Sequence, residues 1–88
     1  MTKLIPPVIN SNGTSVDELL SRQRDVIDAL HEVMDALNEA TPHGRDYQTL
    51  EPSVGRDARR AHGERWIIIN NIREEYIQQA IAISKQKR

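Results

Sequence analysis

The sequence predicts an all-α antiparallel two-helix hairpin that carries an N-terminal arm and assembles into a homo-oligomer. Three observations lead to this prediction. Two long segments of the 88-residue chain repeat apolar residues every three or four positions, which is the period of an amphipathic helix. A bend that contains proline and glycine separates the two segments. The second segment is apolar over more of its surface than one partner helix covers, so the excess must meet other copies of the chain or another protein.

The composition limits the class of protein. A chain of 88 residues is a single domain near the lower size limit for one hydrophobic core. It contains no cysteine, which excludes disulfides and thiolate metal sites, and its three histidines are widely spaced. We therefore expect no metal ion and no cofactor, and oligomerisation is the remaining usual source of stability. The formal charge of -1 argues against a binder of long nucleic acids or of membrane surfaces.

The charge is unevenly distributed along the chain. Residues 15–40 carry seven acidic residues and two arginines, whereas residues 41–88 carry nine basic and six acidic residues. This asymmetry suits two helices that attract each other, and it equally suits a basic site beside an acidic, solvated face. The chain opens with no signal segment, and no apolar run approaches the roughly 20 residues of a membrane span. The expectation is a cytoplasmic protein.

Residues 1–14 form the predicted arm, which is extended or contains a short helix, and residues 15–88 form the hairpin domain. Pro6-Pro7 disfavours a regular helix in the arm, because proline lacks the backbone N–H. Four apolar residues are unusual in a free tail, so the arm is expected to pack on its own helices or across a neighbouring chain. These residues are Leu4, Ile5, Val8 and Ile9.

The first helix is predicted to start after Ser15, which opens the capping box Ser15-Val16-Asp17-Glu18, and to run to about Ala40. Thr41-Pro42 then stops it. Gln23 is the one polar residue in its apolar stripe. It is interpreted as a satisfied buried amide or a rim residue, with a ligand contact as the alternative. The stripe consists of two adjacent rows, Leu20, Ile27 and Met34 in one and Val16, Gln23, Leu30 and Leu37 in the other.

The second helix follows the bend of residues 41–53. Ser53 or Asp57 is predicted to cap it, and the helix is expected to extend to about Lys85. Several further apolar residues spread around both sides of its main stripe, which is why we predict an oligomer. At 100° per residue that stripe contains Ala58, Ile69, Ile72, Tyr76 and Ile83.

Two arginines fall on or beside this apolar stripe by helical phase. Arg65 lies inside it and Arg73 lies at its edge. A guanidinium in an apolar seam needs a carboxylate, a phosphate or an exit to water. The structural interpretation is that these arginines form an ion pair with an acid of the first helix or extend their side chains to solvent. The alternative is that Arg65, with His62 and Arg59, lines a phosphate pocket between subunits, because the planar guanidinium binds phosphate through two parallel hydrogen bonds.

The bend adds Arg45, Tyr47 and Gln48. A cation, an aromatic ring and an amide are the minimal set for a nucleotide, since they bind phosphate, stack on a base and pair with a base edge. Gly44 permits positive φ and a close backbone approach, although a simple turn has the same need. The sequence contains no glycine-rich phosphate loop, zinc-ligand motif or nucleophile elbow, so binding without catalysis is predicted.

The bend Pro42-His43-Gly44-Arg45-Asp46-Tyr47-Gln48, the pair Ala61-His62 and the helix end Gln79-Ala80-Ile81-Ala82 together resemble a known family. It is the hairpin domain shared by phage anti-CBASS nucleotide sponges and Thoeris anti-defence proteins, and the resemblance covers about residues 15–84. It implies a compact oligomer, with a hexamer expected. This oligomer would trap cyclic di- or trinucleotides, or a cyclic ADP-ribose isomer, between protomers without cleaving them. In the host cytoplasm it would deprive a bacterial immune effector of its signal.

The predicted site combines the bend with the first turns of the second helix, because the bend alone is too short and exposed to hold a ligand. Arginines would hold phosphates, Tyr47 or Trp66 would stack on a base, and His62 would donate a hydrogen bond. Two alternatives remain open: a helical adaptor that binds a protein partner, and a small helical enzyme of the chorismate mutase size class. The predicted ligand-binding residues are Arg45, Tyr47, Gln48, Arg59, His62, Arg65 and Trp66.

Overall fold

The computed structural model describes residues 5–8 and 15–86. Within them lie two α-helices, α1 (Val16–Glu39) and α2 (Pro52–Ser84), joined through a short 3-10 helix, Gly44–Tyr47. The described residues contain no strand, so the predicted all-helical two-helix chain is confirmed. The chain is a rod of 63 × 22 × 16 Å. Neither helix is both long enough and apolar enough to cross a membrane, as far as the described residues extend.

The start of α1 follows its sequence signal. Ser15 has an extended backbone, and its hydroxyl accepts a hydrogen bond from the Glu18 amide at 3.2 Å. This bond satisfies one of the first-turn N–H groups that lack an intrahelical partner. At the other end, Thr41 donates its hydroxyl hydrogen to the Asn38 carbonyl at 2.8 Å. The helix therefore stops at Glu39, next to the predicted end at Ala40.

The start of α2 corrects the sequence prediction. The helix begins at Pro52, and its N-cap is Glu51, whose side chain makes no capping hydrogen bond. The prediction that Ser53 or Asp57 caps the helix is therefore wrong. Proline fits the first helical position because it lacks an N–H that would be unpaired there and because its φ is already helical.

The two helices run antiparallel and meet along a seam with alternating spacings of three and four residues, as in a coiled coil. The α1 side of this seam follows the two predicted rows, with Gln23 and Met34 buried. On α2, Gly55 and Ile83 are buried, and several residues spaced three or four positions apart between them are half-buried. This half-buried set comprises His62, Trp66, Ile69, Arg73, Tyr76 and Ala80.

The prediction that Arg65 lies inside the apolar stripe is wrong, because Arg65 is exposed. The inward face of α2 is rotated toward Trp66 and Arg73, and the Arg73 side chain is 24% exposed. The helical phase did not identify this face because α2 is apolar on several sides, and any of them could have packed on α1. In addition, a phase of 100° per residue drifts by about 20° per heptad from the 3.5-residue repeat of a coiled coil. Of the two structural interpretations, an ion pair between these arginines and an acid of α1 is not found among the described residues, whereas the exposed Arg65 side chain reaches solvent.

Gln23 pairs with Gln79 across the seam. Gln79 Nε2 donates to Gln23 Oε1 at 2.7 Å, and Gln23 is 9% exposed. The interpretation of Gln23 as a satisfied buried amide is confirmed. A polar pair of this kind favours one register of two helices over others, because a shift would leave both amides unpaired.

The arm contacts the far end of the hairpin. Gln86 Nε2 donates to the Pro7 carbonyl at 2.9 Å, so residues 5–8 lie beside the end of α2. Ile5 and Val8 are each 79% exposed. The predicted packing of the arm on its own chain therefore holds for Pro7, while these two apolar side chains face outward. The predictions for Leu4 and Ile9 lie outside the described residues.

Candidate ligand-binding site

A cavity of about 450 Å³ lies where the end of α1 meets the first half of α2. Its α2 residues are separated by three or four positions and therefore share one side of the helix. The end of α1 supplies polar groups, and α2 supplies a cation, an imidazole and an indole. The lining residues are Asn38 and Thr41 from α1 and its C-terminal turn, and Arg59, His62, Gly63, Trp66 and Ile67 from α2.

His62 joins the two walls of the cavity. Its Nε2 lies 2.7 Å from the Leu37 carbonyl oxygen, and because a carbonyl can only accept, Nε2 carries the proton. Leu37 belongs to the last turn of α1, and its carbonyl also accepts hydrogen bonds from the Ala40 amide at 3.1 Å and from the Thr41 hydroxyl at 3.4 Å. The predicted hydrogen bond from His62 is therefore made to the protein itself. Nδ1 is the ring nitrogen left for a ligand.

Arg59 and Tyr47 meet over Gly55. A Cβ atom placed on Gly55 would lie 3.3 Å from Tyr47 Cβ and 3.6 Å from Arg59 Nη1. The missing side chain thus lets the 3-10 helix pack on the first turns of α2, as predicted for Tyr47. Arg59 is exposed and forms no ion pair with any residue in the described ranges. Its guanidinium is available to an anion.

Trp66 carries an unused polar group. Its Nε1 atom is buried and has no hydrogen-bond partner among the described residues, and the same holds for Arg73 Nε two helical turns further on. A buried N–H without an acceptor costs about 1–3 kcal/mol. Of these two donors, Trp66 Nε1 belongs to a residue that lines the cavity, whereas Arg73 does not line it.

Gly63 keeps one side of the cavity open. Apart from its chain neighbours and the nearby backbone of its own helix, no atom of the described residues lies within 4 Å of a Cβ atom placed on this residue. Glycine in a helix interior is less favourable than alanine by about 0.5–1 kcal/mol. Packing within the chain does not require glycine here, so its effect is to leave room beside Trp66 and Ile67.

The remaining predicted residues lie away from the cavity walls. Arg45 and Gln48 are exposed near the 3-10 helix, and Arg65 is exposed on α2. His43 has a structural role, since its Nδ1 accepts a hydrogen bond from the Arg45 amide at 3.3 Å.

Four lining residues were not predicted: Asn38, Thr41, Gly63 and Ile67. Asn38 and Thr41 belong to the end of α1, and their position depends on which part of α2 lies opposite. The sequence signal for Gly63 is a glycine inside a strongly periodic helix, where it is less favourable than alanine. Ile67 was assigned to the apolar excess of α2, and it is 55% exposed.

No protein-family model matches this chain, and no curated protein or solved structure is significantly similar to it. The resemblance to the sponge and anti-defence hairpin domain therefore remains an expectation based on the bend and helix-end motifs.

Proposed function

We propose that this chain is a non-enzymatic, phage-type immune-evasion protein that captures a cyclic oligonucleotide or cyclic ADP-ribose signal. The observation that carries the proposal is the meeting of Arg59, His62 and Trp66 at one cavity, with Tyr47 beside Arg59. Four of the seven predicted ligand residues therefore lie at or next to one site.

Arg59 is the proposed phosphate ligand. Its guanidinium has no carboxylate partner among the described residues, so binding an anion would break no existing ion pair. Arginine suits phosphate because its donors form a planar fork that matches two phosphate oxygens. Trp66 and Ile67 add apolar surface to the same cavity.

Trp66 is the proposed stacking surface for a base, with Tyr47 as a second aromatic ring at the edge of the site. Stacking of a base on an aromatic side chain contributes about 1–3 kcal/mol. A charge contact and a stacking contact from one cavity suit a single nucleotide unit. The cavity volume of about 450 Å³ is at the small end of the range of about 300–1,000 Å³ that is usual for ligand pockets.

The polar groups of the cavity favour binding without cleavage. The Thr41 hydroxyl donates its hydrogen to the Asn38 carbonyl, and His62 Nε2 donates to the Leu37 carbonyl. Neither bond joins a nucleophile to a base, which is the arrangement that activates a hydroxyl for attack. Both bonds stiffen the wall of the cavity instead.

A homo-oligomer, with a hexamer expected, is part of the proposal. The chain exposes 6784 Å², whereas a compact monomer of its mass of 10.1 kDa exposes about 5,300 Å². Ile67 and Ile68 are each 55% exposed in the middle of α2. Covering them with other copies would remove apolar surface from water and would bring further side chains to the open side of the cavity.

The same isoleucines favour a second candidate function, a helical adaptor that binds a different protein. Light scattering separates the two candidates, because an adaptor stays monomeric until its partner arrives. A sponge assembles by itself.

Binding is tested by calorimetric titration of the purified full chain with cyclic dinucleotides, cyclic trinucleotides and cyclic ADP-ribose isomers. The bound compound is then released by heat denaturation and analysed by mass spectrometry. Recovery of the intact ligand supports capture, and recovery of a processed product identifies an enzyme. Failure of every one of these ligands to bind refutes the proposal.

A further inference from the structure

Asn38 is a cavity residue that neither the packing of the hairpin nor the proposed phosphate and stacking contacts use. It is exposed on the last turn of α1 and lines the cavity opposite α2. Its carboxamide makes no hydrogen bond to any residue in the described ranges. One donor and one acceptor are therefore free at the wall of the site.

The backbone beneath this carboxamide is held in place. The Asn38 carbonyl accepts hydrogen bonds from the Thr41 hydroxyl at 2.8 Å and from the Thr41 amide at 3.3 Å. The preceding carbonyl, that of Leu37, accepts the 2.7 Å bond from His62. The turn that carries Asn38 is thus held by hydrogen bonds within the turn and by a hydrogen bond to α2. Because this backbone is already ordered, binding through Asn38 carries no additional cost for ordering the turn.

A carboxamide presents its donor and acceptor side by side, and adenine complements both. The adenine N6 amino group donates and N7 accepts, which allows a bidentate pair with asparagine. Guanine presents two acceptors on the same edge, O6 and N7, and these suit arginine. The other edge of guanine can also pair with a carboxamide, through the O6 acceptor and the N1–H donor, but the adjacent N2 amino group is then left without an acceptor.

We infer that Asn38 reads the base of the bound nucleotide and makes the cavity select adenine over guanine. This inference rests on the proposed function and adds the base specificity of the same site. Arg59 is assigned to the phosphate, so Asn38 is the lining side chain that has both a donor and an acceptor free for the base edge. Trp66 would stack on the larger purine ring more extensively than on a pyrimidine.

The inference is tested with cyclic di-AMP and cyclic di-GMP, which share a backbone and differ in the base. Each is titrated into the full chain and into the variants Asn38→Ala and Asn38→Asp. We expect the wild-type chain to bind cyclic di-AMP about tenfold more tightly, within the discrimination usual for a bidentate base contact. Asn38→Ala should bring the two affinities together. Asn38→Asp should reverse the preference, because a carboxylate accepts from both adjacent donors of guanine.

Asn71→Ala is the control, since Asn71 is exposed on α2 and does not line the cavity. It should keep the wild-type preference. Equal affinities in the wild-type chain, or a preference that survives Asn38→Ala, would overturn the inference and leave the proposed function intact. If neither dinucleotide binds, the inference is overturned. The proposed function then fails only if the cyclic trinucleotides and cyclic ADP-ribose isomers also do not bind.

Discussion

Gln79 and Gln23 are joined by a 2.7 Å hydrogen bond across the seam between α2 and α1, although 56 positions separate them in the chain. Apolar contacts along the same seam tolerate a shift of the helices more readily than this directional contact does. The pair therefore contributes to the register of the hairpin. It thereby also helps to bring the end of α1 opposite the cavity residues of α2.

Gln79→Ala should destabilise the chain by about 1–3 kcal/mol, because it leaves the buried Gln23 amide without its partner. Urea unfolding followed by circular dichroism, at one fixed chain concentration, measures the change. Gln78→Ala is the matched control, since Gln78 is exposed, and it should change the stability by less than about 0.5 kcal/mol. Equal effects of the two substitutions would show that the amide pair does not stabilise the fold.

His62→Ala should loosen the end of α1. The substitution removes the donor to the Leu37 carbonyl, and the loss of one hydrogen bond typically costs about 0.5–1.5 kcal/mol. Hydrogen exchange should become faster at the Ala40 amide, which bonds into the same turn. His31→Ala serves as the control because His31 is exposed on α1, where it lies 3.8 Å from Asp35. An unchanged exchange rate in His62→Ala would contradict a capping role.

The two described glycines inside α2 should respond differently to alanine. Gly63→Ala should raise the stability by about 0.5–1 kcal/mol, since the new methyl group meets no atom and the unfolded chain loses freedom. Gly55→Ala should gain less or lose stability, because its Cβ would lie 3.3 Å from Tyr47 Cβ. Thermal melts of both variants measure the difference. A destabilised Gly63→Ala would indicate that another group, such as a second chain, occupies that space.

Arg59→Ala should weaken binding of the cyclic nucleotide by about 10- to 100-fold, the effect of losing a hydrogen bond to a charged group. Arg60→Ala removes the same charge from the neighbouring exposed position, which does not line the cavity. Its affinity should stay close to that of the wild-type chain. Calorimetric titration measures both variants. Similar losses in both would indicate a general effect of charge and would contradict a specific phosphate contact.

Ile68→Glu should reduce self-association without unfolding the helices. Ile68 is 55% exposed and does not line the cavity, so a carboxylate there disturbs neither the seam nor the site of a single chain. Light scattering measures the mass, and circular dichroism measures the helix content. Gln78→Glu, a change at an exposed polar position, should leave the mass unchanged. A wild-type chain that is monomeric at micromolar concentration would contradict the predicted oligomer.

The sequence by itself determined the helical class, the bend between the helices, the Ser15 cap and the inward face of α1. It could do so because these features depend on neighbours within about one helical turn. The inward face of α1 was identified correctly because its apolar residues lie in only two adjacent rows. The satisfied amide at Gln23 was identified for the same reason, although Gln79 was not recognised as its partner.

Only the tertiary structure decided which side of α2 meets α1. Because α2 is apolar on several sides, its periodicity allowed Arg65 in the seam, whereas the packed helices bring Arg73 there and leave Arg65 exposed. The cavity residue Asn38 was missed for a related reason. Its place opposite α2 depends on contacts between residues 25 and 56 positions apart, from His62 to Leu37 and from Gln79 to Gln23. Local periodicity specifies the faces of a helix, and long-range contacts specify which faces meet.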